Sequence, residues 1–261
     1  VGREVGSALG GAATAATAGL AGLVLGTGDL NNDLARLRTN ASIAGVGLEE
    51  AEDAFARLYA ISGEADSSVE AVSQLLAAGF QGEQLTSALD NIAGAAIKFS
   101  DTLNIEGISD GLQETLALGE ATGQFAELLD RSKVDVDAFN DSLGGLSTEA
   151  ERNAFALQTL NDIGLTETLE RFGILNEEVT ASREAQANFQ LALSALSITL
   201  TPLITLVTDL ATRFIQLANE NPQLVTGFAI VSAAITALAG AFAFFSPLVS
   251  ALVGLFPILA T

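Results

Sequence analysis

The last 41 residues of the chain, 221–261, contain no charged side chain, although the whole chain has a formal net charge of −21. Residues 29–184 hold 29 acidic and 9 basic side chains, a net charge of −20. After Glu184 the charged residues are Asp209, Arg213 and Glu220, and residues 5–28 form an uncharged stretch rich in Gly, Ala and Thr. Because carboxylates need water and a long apolar stretch avoids it, these segments require different surroundings.

The charge pattern divides the chain into four segments. We predict an apolar Gly/Ala-rich segment at 1–28 and an acidic helical domain at 29–184. A heptad helix suited to oligomerisation follows at 185–220, and a hydrophobic, membrane-competent hairpin follows at 221–261. The chain begins with Val1, contains no Met and shows no secretory leader. We therefore expect it to be a piece of a longer protein.

The spacing of apolar residues predicts an all-α fold with no sheet. Ala, Leu and Gly dominate, only 6% of residues are aromatic, and no strand-like alternation is sustained. Short amphipathic helices are predicted first, then one long helix that carries a heptad pattern, then an apolar helical hairpin. The predicted helices are 47–61, 67–78, 83–99, 109–119, 123–131, 135–143, 148–162 and 177–220.

Several short motifs predict where these helices begin and end. Ser67 with Glu70 and Thr148 with Glu151 have the spacing of capping boxes. The segment LLAAGFQGEQL, with Gly79 and Gly82, predicts that one helix stops and another begins.

A heptad pattern occupies the long predicted helix and forms what we call the seam. Its apolar residues alternate spacings of four and three, as in supercoiling helices; they are Phe189, Leu193, Leu196, Leu200, Leu203, Val207, Leu210, Phe214 and Leu217. Further apolar residues lie off the seam at Leu191, Ile198, Ile204, Leu206 and Ile215. The face is wider than a two-stranded coil needs, so two interpretations stay open: self-association as a trimer or larger bundle, and a core helix within one chain.

Prolines mark three predicted turns in this part of the chain. Pro202 lacks a backbone N–H and is predicted to kink or interrupt the long helix. Pro222 and Pro247 bracket 24 residues, which as a helix extend about 36 Å. That length exceeds the hydrocarbon core of a bilayer, about 30 Å. Pro247 then allows a turn into a shorter second arm.

The apolar end is predicted to be buried, either in a membrane or in an assembly. The residues we expect to be buried are Leu224, Phe228, Ile230, Val231, Ile235, Leu238, Phe242, Phe244 and Phe245. The Trp, Tyr, Lys and Arg residues that anchor a span at the interface are missing from 221–261. Permanent residence in a bilayer, conditional insertion and burial inside a protein assembly all stay open.

The composition excludes several kinds of chemistry. The chain has no His and no Cys, so a Ser-His-Asp triad, a thiol nucleophile and an ordinary zinc site are absent. The segment DVDAFND at Asp135 resembles the start of a calcium loop, but Phe139 takes a ligand position, so a helix N-terminus is expected there. We predict no catalytic residue, metal site or cofactor, although a carboxylate-based hydrolase is a further alternative. With 11 basic against 32 acidic residues, sequence-specific nucleic-acid binding is not expected.

The segment 196–249 resembles the region around the hydrophobic segment of tail tape measure proteins from long-tailed, siphovirus-like phages. The elements that carry the resemblance are Leu200 with Pro202, the turn at Asn221 and Pro222, and a small-residue apolar helix that ends near Pro247. The acidic part is also similar, through ADSSVEAVSQLLAAGFQGEQLTSAL with its two helices around a Gly-containing break. Together these matches cover roughly residues 30–250.

The resemblance implies a structural virion protein, and the residue types described above predict that this chain is not an enzyme. It implies a place in the lumen or at the tip of the tail tube and roles in tail assembly, length determination and genome delivery through the host envelope. The implied partners are other copies of the chain, tail-tube and tail-tip proteins, and the host membrane or periplasm during ejection. Family members are usually longer, with extended helical stretches. A stand-alone pore-forming or holin-like membrane protein is the alternative function.

Overall fold

The computed structural model describes residues 28–220, without the side chains of 28–30 and with only some of the side chains beyond 196. Two predicted segments lie outside the described residues. They are the apolar N-terminal segment, apart from its last residue at 28, and the membrane-competent hairpin at 221–261. Residues 28–220 form ten α-helices and no strand, which confirms the all-α fold. In this part of the chain, no helix combines the length and the hydropathy of a membrane span.

The ten helices follow one another with short connections. They are α1 (Gly28–Ala44), α2 (Leu48–Ser62), α3 (Ala65–Ala77), α4 (Gly82–Lys98), α5 (Ile105–Leu118), α6 (Gly123–Arg131), α7 (Val136–Gly144), α8 (Glu149–Ile163), α9 (Thr166–Leu175) and α10 (Glu177–Glu220). The chain divides into two compact units, Leu30–Asn188 and a second unit that includes residues 189–220. The four-segment division predicted from charge stays a prediction.

Each of the eight predicted helices corresponds to an observed helix. The predictions for 123–131 and 177–220 match α6 and α10 at both ends. Two helices were not predicted. In α1 the sequence GDLNNDLARLRTNASIA is rich in Asn, Asp and Thr, which are weak helix formers. Its buried residues Leu34, Leu37 and Ala41 nevertheless share one face.

One of the two predicted capping boxes is confirmed. The Thr148 hydroxyl oxygen accepts a hydrogen bond from the Glu151 backbone N–H at 3.2 Å, and the Thr148 N–H donates to the Glu151 carboxylate at 3.0 Å. The Thr148 hydroxyl also donates to the Glu151 carboxylate at 2.9 Å, and this bond, together with the one from the Thr148 N–H, lowers the pKa of Glu151. The box predicted at Ser67 is wrong, because α3 begins two residues earlier at Ala65. Ser67 therefore lies in the first turn and donates to the Glu64 carboxylate.

The break between α3 and α4 is confirmed where Gly79 and Gly82 predicted it. Gly79 has φ +83°, a left-handed conformation that glycine adopts at low cost. Phe80 between the two glycines is fully buried and anchors the turn in the core. The Gly82 N–H donates to the Glu50 carboxylate at 2.6 Å, which attaches the start of α4 to α2.

Helix α4 lies at the centre of the compact unit Leu30–Asn188. It packs against α2, α3, α5, α8 and α9. Its sequence ALDNIAGAAIK has small residues in every turn, so neighbouring helices approach its backbone closely. A Cβ at Gly94 would overlap the Leu165 carbonyl oxygen, at the connection between α8 and α9. The position of α9 therefore depends on the absence of a side chain at Gly94.

Helices α5 and α6 meet in a second close contact. A Cβ at Gly111 of α5 would lie 2.8 Å from the Phe125 backbone nitrogen and 2.9 Å from the Thr122 carbonyl oxygen. Phe125 is fully buried, and its ring meets the Phe139 ring edge-on at 5.9 Å. The glycine thus allows α6 to bring an aromatic side chain into the core.

We predict that Gly94→Ala destabilises the protein and that Gly173→Ala does not. Alanine adds about 1 kcal/mol of helix propensity at either position. At Gly94 the new methyl group also meets backbone that cannot move aside, a cost of about 1–3 kcal/mol. At Gly173, in α9, nothing lies within 4 Å of the added Cβ.

Urea unfolding followed by circular dichroism measures both variants. The midpoint should fall for Gly94→Ala and should stay constant or rise for Gly173→Ala. Equal stabilisation of both variants would show that the contact at Leu165 is not tight.

A group of carboxylates lies where α3 and α5 pack together. Burial raises the pKa of Glu70, and the nearby carboxylates of Glu106, Asp66 and Asp110 raise it further, whereas Arg36 lowers it. A carboxyl group whose folded pKa is raised costs stability when it is ionised. This loss of stability is complete above the raised pKa that Glu70 has in the folded protein. It disappears as the pH falls below the pKa of a glutamate in the unfolded chain, about 4.3.

We therefore predict that Glu70→Gln stabilises the protein at pH 7 by less than about 1 kcal/mol, because the site is largely exposed and screened. The advantage should shrink to nothing below about pH 4. Glu170→Gln, at an exposed position of α9, is the matched control and should have little effect at either pH. Unfolding midpoints at pH 7 and pH 4 test this, and a gain for Glu70→Gln that is the same at both pH values would contradict it.

Candidate functional site

The predicted seam lies on α10, a helix of 44 residues and about 66 Å. Of its nine residues, the structure describes the side chains of the first three. Leu193 is buried at 7% exposure, Phe189 is half-buried and Leu196 is 47% exposed. The side chains of the other six are not described: Leu200, Leu203, Val207, Leu210, Phe214 and Leu217. The seam as an oligomer contact stays a prediction.

Helix α10 continues through Pro202. An interruption at this residue is therefore excluded, while a kink stays a prediction. Proline removes one hydrogen bond, the one that its N–H would donate to the Ile198 carbonyl oxygen. The bonds of the turns on either side suffice to continue the helix.

Exposed apolar side chains form a row on another face of α10. Ile198, Pro202 and Leu206 follow one another at four-residue spacing, so they share a face. Ile198 is 57% exposed, Leu206 is 62% exposed and Pro202 is also exposed. At 100° per residue, Ile198 lies about 200° around the helix from Leu196. We call these three residues the exposed row. The sequence analysis identified Ile198 and Leu206 as lying off the seam, but it did not group them with Pro202.

A second surface is a groove of about 1180 Å³ within the compact unit Leu30–Asn188. It lies between α2, α4, α9 and the first turns of α10. Its charged lining residues are Glu49, Glu50, Asp53, Arg57, Glu83, Asp90 and Glu184. Six carboxylates against one guanidinium give these described residues a formal charge of −5, and we call this surface the acidic groove.

The guanidinium of the acidic groove is already paired. Arg57 donates to both carboxylate oxygens of Asp90, at 2.7 and 2.8 Å. The hydrogen bond to Asp90 raises the pKa of Arg57, and the charge of Glu184 acts in the same direction. Burial opposes this rise. Arg57 therefore compensates Asp90 and contributes little positive charge to the remaining groove.

Asp135 caps a helix in the structure. Its carboxylate accepts a hydrogen bond from the Ala138 N–H at 3.0 Å, which satisfies one of the free donors at the start of α7. The prediction of a helix N-terminus at this segment is confirmed. Among the described residues, no group of three or more acidic side chains has an arrangement that could hold a metal ion.

The residues predicted to be buried in a membrane or an assembly, within 224–245, lie outside the described residues. The predicted turns at Pro222 and Pro247 lie there too.

The described residues thus provide two candidate functional surfaces, the exposed row and the acidic groove. No protein family, curated protein or solved structure matches the chain.

Proposed function

We propose that the chain is a structural protein of a phage tail, of the tape measure class, that self-associates through α10. In this role it occupies the lumen or the tip of the tail tube and takes part in tail assembly and genome delivery. The observation that supports the proposal most is the exposed row, which leaves large apolar side chains in water on a long helix.

The apolar surface of α10 favours contact with other helices. The predicted seam and the exposed row lie on different faces, and a helix that is apolar on several faces is normally buried on several sides. Covering one Ile or Leu side chain contributes about 1.5–3 kcal/mol. A bundle of α10 helices would cover both faces, which fits a trimer or larger oligomer better than a two-stranded coil.

The distribution of charge supports association at this part of the chain. Copies repel one another through residues 29–184, which have a net charge of −20. Residues 185–220 contain only Asp209, Arg213 and Glu220, a net charge of −1. The repulsion is therefore weakest along the part of the chain that carries the exposed row. This combination suits a protein whose acidic part stays solvated while its long helices bundle together.

The resemblance to tape measure proteins adds the biological setting to this physical argument. It includes the elements around Pro202 and Asn221 and the two helices on either side of Gly79. Helices α3 and α4 form that pair in the structure. Tail length determination, contacts with tube and tip proteins, and insertion of the apolar end into the host membrane are parts of the proposal that rest on the resemblance.

Charged substitutions in the exposed row test the self-association. The variant Ile198→Asp/Leu206→Asp places two charges in the proposed contact. The control Ala181→Asp/Ala185→Asp adds the same charges at exposed positions of the same helix. Because all four side chains are exposed, we expect both variants to keep the fold of the monomer. Sedimentation velocity of the full chain measures the oligomer.

We expect the unmodified chain and the control to sediment as a trimer or larger species. The variant of the exposed row should shift toward monomer, with unchanged helicity by circular dichroism. A monomeric unmodified chain would contradict the proposal, and so would a variant that assembles as well as the control.

A further inference from the structure

We propose that the acidic groove binds a basic, amphipathic segment of another protein. The groove belongs to the compact unit Leu30–Asn188, and the exposed row of α10 does not line it. The inference therefore does not depend on the function proposed above.

Apolar side chains give the groove a surface that a peptide can pack on. Leu169 and Phe172 line it from α9, are only half-buried and supply this surface, whereas Leu85 and Leu89 line it from α4 and are already buried. None of the ten residues of α9, a fully described helix, is buried. The described part of the chain thus covers the apolar face of α9 incompletely, and an apolar side chain from a partner would complete its burial.

Carboxylates line the same groove and define the charge of the occupant. Asp90 is paired with Arg57, and Glu50 accepts a hydrogen bond from the Gly82 N–H. The other four are Glu49, Asp53, Glu83 and Glu184, and none of these forms an ion pair with the described residues. These carboxylates attract an occupant that brings Lys or Arg, so charge complementarity favours a basic segment.

The size of the groove and the charge of the chain limit the choice of occupant. At about 1180 Å³ the groove exceeds the usual range for small-molecule pockets, about 300–1,000 Å³. A second copy of this chain has 32 acidic against 11 basic residues, so its acidic part would be repelled from the groove, whatever contacts the α10 helices make. The combination of an apolar lining with unpaired carboxylates instead matches a segment with apolar residues on one face and basic residues beside them.

A synthetic peptide tests the proposal with the full-length chain. The probe is a fluorescein-labelled amphipathic peptide of Leu and Lys at helical spacing, with a Gln-for-Lys peptide as the uncharged control. The groove variant is Asp53→Asn/Glu83→Gln. The matched control is Asp137→Asn/Asp141→Asn on α7, which removes the same charge from exposed residues outside the groove. Fluorescence anisotropy gives the affinity, and circular dichroism checks the fold.

We expect the groove variant to weaken binding of the Lys peptide about ten-fold, because two ion pairs are lost. The control variant should change the affinity by less than about two-fold. Leu169→Ala should also weaken binding, whereas Leu118→Ala, at an exposed residue away from the groove, should not. Equal losses in the two charge variants would overturn the proposal, since they would show general attraction to a polyanion. Absence of binding, or equal binding of the uncharged peptide, would overturn it too.

Discussion

The close packing of α4 is the constraint on which the compact unit Leu30–Asn188 depends. Five helices pack against α4, and the contact of Gly94 with the Leu165 carbonyl leaves no room for a Cβ. A hydrogen bond also attaches α4 to α8: the buried Asn91 side chain donates to the Asn161 side chain at 2.7 Å. Because α9 follows directly after Leu165, the same close approach positions the wall of the acidic groove.

The two candidate surfaces result from one separation of charge. The compact unit keeps apolar side chains in its core and leaves its carboxylates in water, so an uncompensated negative groove remains between α2, α4, α9 and α10. Beyond Asn188 the helix carries few charges, and the described side chains of Leu196, Ile198 and Leu206 are exposed. This separation is the basis for proposing that the first part binds a basic segment and that the second contacts other apolar helices.

Local signals predicted most of the fold but little of the two surfaces. The glycines at 79 and 82, the capping box at Thr148 and the apolar periodicity placed eight of the ten described helices. Helix α9 was missed because it is short, contains Gly173 and has no buried residue to produce a clear periodicity. The close contact of Gly94 could not be predicted, since Leu165 is far away in sequence. The groove could not be predicted for the same reason, because its lining comes from four separate segments of the chain. The exposed row could be defined only from the exposed fractions of its side chains in the structure.

Cross-linking at a single cysteine tests the central claim, association through α10, most directly. The chain contains no cysteine, so Leu206→Cys introduces one defined site. Leu118→Cys, also an exposed leucine but on α5, serves as the control. A short bismaleimide added to the full chain should join copies efficiently at 206 and poorly at 118. Equal cross-linking at the two sites, or none at 206, would contradict the account.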